Sequence, residues 1–228
     1  KYTVLQSAFA AAERIFGLLD EKRSIASRPD APTIDGEWQT IGFDGVHFAY
    51  ADDPSDEDYV LRDVSFSVKR GEHVALVGPT GSGKTTILKL LNRFYDVSAG
   101  AVRIEGRDVR DVELDSLRRL FAVVLQDVYL FSGTVMENLR FGEEVSDDDV
   151  RRAATAVQAD RFIQRLPDAY DTQVRELGAN FSGGERQLLA FARALAADPE
   201  ILVLDEATSS VDSETEAQLQ RALDVLMK

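Results

Sequence analysis

The run Gly78-Pro79-Thr80-Gly81-Ser82-Gly83-Lys84-Thr85 constrains this chain more tightly than any other segment. It fits G-x-x-x-x-G-K-[ST], and its flanks supply the context that the pattern needs. Residues 74–77 are apolar and read as a short strand, while Ile87, Leu88, Leu90, Leu91 and Phe94 form the apolar face of a following helix. Strand, glycine-rich turn and helix in succession are one unit of an α/β fold. Glycines let backbone N–H groups converge, a helix N-terminus adds the positive end of its dipole, and Lys84 adds a point charge. That combination suits phosphate groups, with the Thr85 hydroxyl available to Mg²⁺. The blander alternative is a glycine-rich turn without a ligand, which the flanking pattern disfavours.

A second polar cluster follows the apolar run Ile201-Leu202-Val203-Leu204, read as a strand of a parallel sheet covered on both faces. Asp205 and Glu206 stand at its carboxyl end, where ligands bind in such sheets. Adjacent acids there can divide the work: Asp205 holds Mg²⁺ through water, and Glu206 acts as general base on an attacking water. Alone, the pair would read as solvated acids after a core strand. With a phosphate loop upstream, the two motifs together mark a nucleotide-hydrolysing protein.

Composition narrows the field further. The 228 residues, 44% of them hydrophobic, suffice for the core of one mixed domain or two small ones. Twenty-six basic against 40 acidic side chains leave a net charge of -14, which repels nucleic-acid backbones. With no cysteine and only His47 and His73, a disulfide framework or an ordinary zinc cluster is excluded. No stretch approaches the ~20 apolar residues of a membrane span, and the start lacks a secretory signal pattern. The chain opens on Lys1 and stops at Lys228 inside a helical pattern, so it is read as a piece of a longer protein.

Along the chain, Leu5, Ala8, Phe9, Ala12, Ile15, Phe16 and Leu19 recur at helical spacing, which predicts an amphipathic helix ending near Asp20. Two readings stay open for it: packing on its own domain, or descent from a preceding membrane span. Residues 21–36, with Pro29, Pro32 and Gly36, read as a linker. Residues 38–50 and 60–68 read as strands joined by the acidic loop 52–58. Residues 127–196 read as mostly helical, with a capping box at Ser146 and Asp149 and a second helix start at Gly183.

The segment Phe181-Ser182-Gly183-Gly184-Glu185-Arg186-Gln187 decides among branches. It resembles the signature motif of ATP-binding cassette (ABC) proteins, usually written LSGGQ, lying shortly before the Asp-Glu strand as in that family. Ser182, Gly183 and Gly184 at a helix start form an anion nest suited to a γ-phosphate, with Glu185 beside them. Other positions then match one by one. Tyr50 resembles the aromatic residue that stacks on adenine, although alone it would read as an ordinary strand tyrosine. Gln126 resembles the glutamine that reaches Mg²⁺ and the attacking water. The residues from Gly78 through Thr86 resemble the nucleotide-binding loop, 209–212 with Asp212 the loop that crosses a dimer interface, and 174–178 the loop that exporters set against membrane domains.

The resemblance, from about residue 38 onward, implies an α/β P-loop NTPase core with an antiparallel β subdomain and an inserted α-helical subdomain at about 127–199. Residues 1–36 would be the linker and helix from a preceding membrane domain, and 37–228 the nucleotide-binding domain. ATP and Mg²⁺ are the implied ligands. Lys84, Gln126 and Glu206 would be catalytic, and Thr85, Gln126 and Asp205 would serve the metal. The expected partners are a second nucleotide-binding domain, identical or not, and the coupling helices of a transmembrane domain, at the cytoplasmic face of a membrane.

Phe181, Glu185 and Leu188 depart from the usual leucine, glutamine and arginine. The last two departures are familiar in half-molecules that pair with a non-identical partner. The family's switch histidine would fall past Lys228, and neither His47 nor His73 stands in its place. A small-molecule kinase is the alternative that the signature segment opposes. A chromosome-maintenance ATPase would insert a long coiled coil, yet only about 120 residues separate Lys84 from Asp205 and they carry no sustained heptads. A non-hydrolytic ATP switch is opposed by Glu206.

Overall fold

The computed structural model describes residues 2–20, 24–34, 38–125, 127–141, 145–205 and 220–224. An amphipathic helix, α1 (Tyr2–Leu19), comes first. Strands β1 (Thr40–Ala49) and β2 (Tyr59–Lys69) pair antiparallel, with Phe43 opposite Phe66 and their rings stacked 4.8 Å apart. Cross-strand aromatic pairs of this kind stabilise a sheet and pin its register. After helix α2 (Lys84–Leu91), β3 (Ala99–Ile104) and β4 (Arg107–Asp108) complete a sheet of order β2-β1-β3-β4. Helix α3 (Leu114–Arg119) then leads into β5 (Phe121–Val124).

The second half is largely helical. Strand β6 (Gly133–Thr134), helices α4 (Val135–Arg140), α5 (Asp147–Ala156) and α6 (Asp160–Ile163), and strand β7 (Gln173–Val174) precede α7 (Gly183–Ala196) and β8 (Ile201–Leu204). Thr134 caps α4 and Ser182 caps α7, each through a reciprocal box with a glutamate three residues on. Both boxes satisfy N–H groups that a helix start otherwise leaves bare. Ser146 accepts from Asp149 N at 3.2 Å and donates to the Asp149 carboxylate at 2.5 Å.

Strands β5 and β8 run parallel and in register, Phe121 beside Ile201 through Val124 beside Leu204. Successive side chains alternate between faces. Phe121, Ile201 and Val203 therefore join a core with Trp38, Phe48 and Leu90 beneath the antiparallel sheet. Ala122, Val124, Leu202 and Leu204 join a second core with Val150, Leu189 and Phe191 among the helices. A strand pair that faces two cores has no polar side to offer, which accounts for its unbroken apolar sequence.

Two expectations are corrected, and one of two open readings loses support. Residues 74–77 form no strand: 72–79 have no regular structure, and Val77 is 89% exposed. A short apolar run signals a strand only if a neighbouring strand pairs with it, and no ladder includes this one. Phe94 lies past the end of α2 and is exposed, because the chain turns left-handed at Arg93. In α1 the described residues Phe9, Ile15, Phe16, Leu18 and Leu19 stay exposed, against packing of the stripe on its own domain.

The 24–34 stretch matches the linker reading in lacking regular structure, yet it is docked. Ser27 Oγ accepts from Leu114 N at 2.7 Å, Pro32 O from Glu113 N at 2.9 Å, and Ser116 Oγ from Ile34 N at 3.1 Å.

Helix α7 supplies Leu188, Leu189, Phe191 and Ala192 to the helical core, all with at most 2% exposure. Truncating such a ring loses burial and leaves a cavity. Phe191→Ala is expected to lower unfolding free energy by about 3–5 kcal/mol in urea titration. A loss below ~1 kcal/mol would contradict the central place of α7.

Candidate functional site

The phosphate-loop candidate is built by backbone conformation before any side chain enters. Gly81 and Gly83 have φ of 85° and 90°, a region that side chains resist. A Cβ on Gly83 would also lie 2.7 Å from Leu61 Cδ2, so the loop lies tight against β2. Ser82 N donates to Pro79 O at 3.2 Å, closing a turn, and Gly83 is the N-cap of α2. The loop's residues 78–82 are exposed, as a ligand cradle requires.

Lys84 bends back over this turn. Its Nζ donates to Gly78 O at 2.9 Å and to Pro79 O at 3.1 Å. The ammonium is thereby centred on the loop at the N-terminus of α2, where two sources of positive potential coincide. The sequence-predicted Thr85 is exposed beside it, whereas Thr86 is buried.

Thr86 faces Tyr50. Their hydroxyls lie 3.0 Å apart, which ties the tyrosine just past β1 to the first turn of α2. Phe48 and Tyr95 both pack edge-on against Tyr50, and Lys89 Nζ lies 5.5 Å from its ring centre. Tyr50 keeps 47% exposure, so the ring is both held and accessible. No sequence motif singles out Tyr95. An aromatic residue after a helix has no periodic signal, and its significance comes from a contact with a strand far away in the chain.

Asp205 follows β8 at the same end at which Leu125 follows β5, and Asp205 N donates to Val124 O at 3.0 Å. Glu206, Gln126 and Asp212 lie outside the described residues. Among the described residues no cluster of three or more His, Cys, Asp or Glu could hold a metal. Thr85 and Asp205 are oxygen donors of the kind that Mg²⁺ takes, one or two from protein with phosphate and water filling the rest of its shell.

At the other candidate, Ser182 Oγ accepts from Glu185 N at 3.2 Å while Glu185 Oε2 accepts from Ser182 N at 2.8 Å. Glu185 thus serves its own helix start. Gly183 borders open space, and Gly184 is buried. Among the described residues no hydrogen bond or ion pair joins 182–185 to the loop 78–86. Leu90 of α2 belongs to the sheet-side core and α7 to the helical one.

A cavity of about 400 Å³ opens beside β5, lined by Leu125, Tyr129, Phe131, Phe141 and Arg193 among others. Tyr129 and Phe131 are exposed, while Leu130 between them is buried. Phe131 stacks on Phe141 at 5.0 Å, and Arg193 lies over Phe141 at 4.7 Å. Burial lowers the Arg193 pKa from its ordinary value.

A family model described as "ABC transporter" matches residues 61–209. The ABC transporter ATP-binding protein YknV of Bacillus subtilis, itself uncharacterized, is 48% identical over all of this chain and 37% of its own length. The ATP-dependent lipid A-core flippase of Syntrophus aciditrophicus is 44% identical over 98% of this chain and 37% of its own. The fatty acid ABC transporter ATP-binding/permease protein of Mycobacterium bovis is 44% identical over 97% of this chain and 34% of its own. Among solved structures, a bacterial Atm1-family ABC exporter with ATP bound superposes with a TM-score of 0.84 at 37% identity, over the whole chain and 39% of that protein. The chain thus spans little more than a third of each of these relatives.

Proposed function

We propose, from the premise that this chain belongs to the ABC transporter family, that it binds and hydrolyses ATP to power export through a pair of such domains. The observation that carries this reading is the Lys84 ammonium centred on the Gly78–Thr85 turn at the start of α2, with Tyr50 tied to the same helix. Residues 37–228 are the nucleotide-binding domain in this reading, with a helical subdomain at about 127–199. Residues 1–36 lead from a membrane domain, which the uncovered stripe of α1 supports. No described helix is itself long and apolar enough to cross a membrane.

Each residue then has a task. The backbone N–H groups of 78–86 and the Lys84 ammonium would hold the phosphates, and Tyr50 would stack on the adenine. Thr85, Asp205 and Gln126 would hold Mg²⁺, which when bound supplies charge to the β- and γ-phosphates. Glu206 would take a proton from water as the water oxygen bonds to the γ-phosphorus. The bond to the bridging oxygen breaks, and ADP and phosphate depart.

Ser182, Gly183, Gly184 and Glu185 would meet the γ-phosphate of a second domain, with Asp212 crossing between the two. The helices that carry these residues and the loop 78–86 pack into different cores, and among the described residues no hydrogen bond or ion pair joins the two segments, which supports a site shared between two domains. The aromatic groove of Tyr129, Phe131 and Phe141, together with the exposed Leu177, offers the transmembrane domain an apolar seat at the cytoplasmic face. Closure around ATP and opening after hydrolysis would be the two states passed to it.

Two substitutions separate binding from chemistry in the full-length protein. Lys84→Ala is expected to remove measurable Mg-ATP binding by titration calorimetry, and unchanged affinity would overturn the loop assignment. Glu206→Gln is expected to keep ATP binding while lowering steady-state turnover about 10²-fold or more. Near-normal hydrolysis in that variant would place the base elsewhere.

A further inference from the structure

We infer that Tyr95 is a positioning residue for the base of the bound nucleotide, acting through Tyr50. This inference rests on the nucleotide-site reading above and adds a residue to it. Tyr50 lies past the end of β1 with nearly half its surface in water, and a free side chain there would lose rotamer freedom on stacking. Contacts with Thr86, Tyr95 and Phe48 fix it beforehand. The Thr86 hydroxyl holds the phenol at 3.0 Å, and the Tyr95 ring meets the Tyr50 ring at 5.2 Å and 89°. That geometry is a favoured one for aromatic pairs, whose edges and faces carry opposite charge. Phe48, buried under both, lies 4.8 Å from Tyr50 and 5.7 Å from Tyr95.

Tyr95 can do this because its backbone is not free. Helix α2 ends in a Schellman turn: Phe94 N donates to Lys89 O at 2.8 Å, and Arg93 N to Leu90 O at 3.0 Å. The left-handed position, normally glycine, is Arg93 with φ 50°. Its guanidinium is buried and donates to Asp96 at 2.9 Å, to Val109 O at 3.4 Å and to Ala26 O at 3.5 Å. Arg118 adds bonds to the carbonyls of Asn92 and Arg93. The ion pair from 93 to 96 brackets Tyr95, so the ring is presented by a pinned turn at 42% exposure. The helix that opens on the phosphate loop thereby closes on the residue that braces the base-stacking ring.

Stacking is tolerant of base identity, so Tyr95 is expected to govern affinity for the nucleoside part and leave the phosphate part alone. The experiment is titration calorimetry of the full-length protein with Mg-ATP and, separately, with Mg-tripolyphosphate. Tyr95→Leu should weaken ATP binding about 2- to 10-fold, the range of one lost aromatic pair, with tripolyphosphate binding unchanged. Tyr95→Phe, which keeps the ring, should restore ATP affinity. Equal weakening of both ligands would make Tyr95 a prop for the loop and overturn the inference, as would unchanged ATP affinity in Tyr95→Leu. If the unmodified protein bound neither ligand, the underlying nucleotide reading would fail first and this inference with it.

Discussion

The parallel pairing of β5 with β8 is the constraint from which the rest of the structure hangs. It is in register over four residues and, apart from the exposed Val123, sends its side chains alternately into two separate cores. The sheet-side core fixes α2, and with it the loop that opens at Gly78. The helical core fixes α7, and with it the Ser182 cap. Asp205 continues from the same strand edge, held by a backbone bond to Val124. Two phosphate-friendly helix starts are therefore rooted in different cores that share one wall. Neither needs to move internally for the distance between copies to change.

Electrostatics shape how such a chain can pair. A net charge of -14 works against two copies meeting, most strongly at low salt, where screening reaches farther. Positive potential is nonetheless concentrated at the loop, where Lys84 and the N-terminus of α2 coincide. A triphosphate set against that spot adds negative charge that a second helix start can meet with its own N–H groups. Glu185 complicates this picture, since its carboxylate occupies the Ser182 N–H. A glutamine at that position would make the same cap without the charge.

Much of this was legible in the sequence, for physical reasons that differ by element. Helices α2 and α7 and strands β1 and β2 follow from periodicity, and β8 from an unbroken apolar run, because each buries one face or both in a local pattern. The phosphate loop is legible because only glycine accommodates φ near 90° at Gly83. Residues 74–77 misled because strand formation needs a partner that composition cannot supply. The turn at Arg93 was hidden because arginine is an uncommon left-handed residue, stabilised here by a local ion pair to Asp96 and by bonds to Val109 and Ala26 from farther along the chain. Tyr95 was hidden for the same reason: its meaning lies in a ring 45 positions earlier in the chain. The linker at 24–34 reads as polar coil, and its docking beside α3 rests on two serine hydroxyls and one backbone pair whose partners lie some 80 positions away, which no local pattern announces.

The central claim is that one ATP is held by the loop of one domain and the Ser182 helix start of another. Complementation tests it most directly. Two full-length variants, Lys84→Ala and Ser182→Arg, each spoil both composite sites of a pair of identical variants. Co-expressed with different tags and purified as the mixed pair, they retain one site built from an intact loop and an intact helix start. The account predicts that steady-state ATPase assays find this mixed pair active while each variant alone is inactive. A mixed pair as inactive as its parents, or substantial turnover by Ser182→Arg alone, would contradict the shared site.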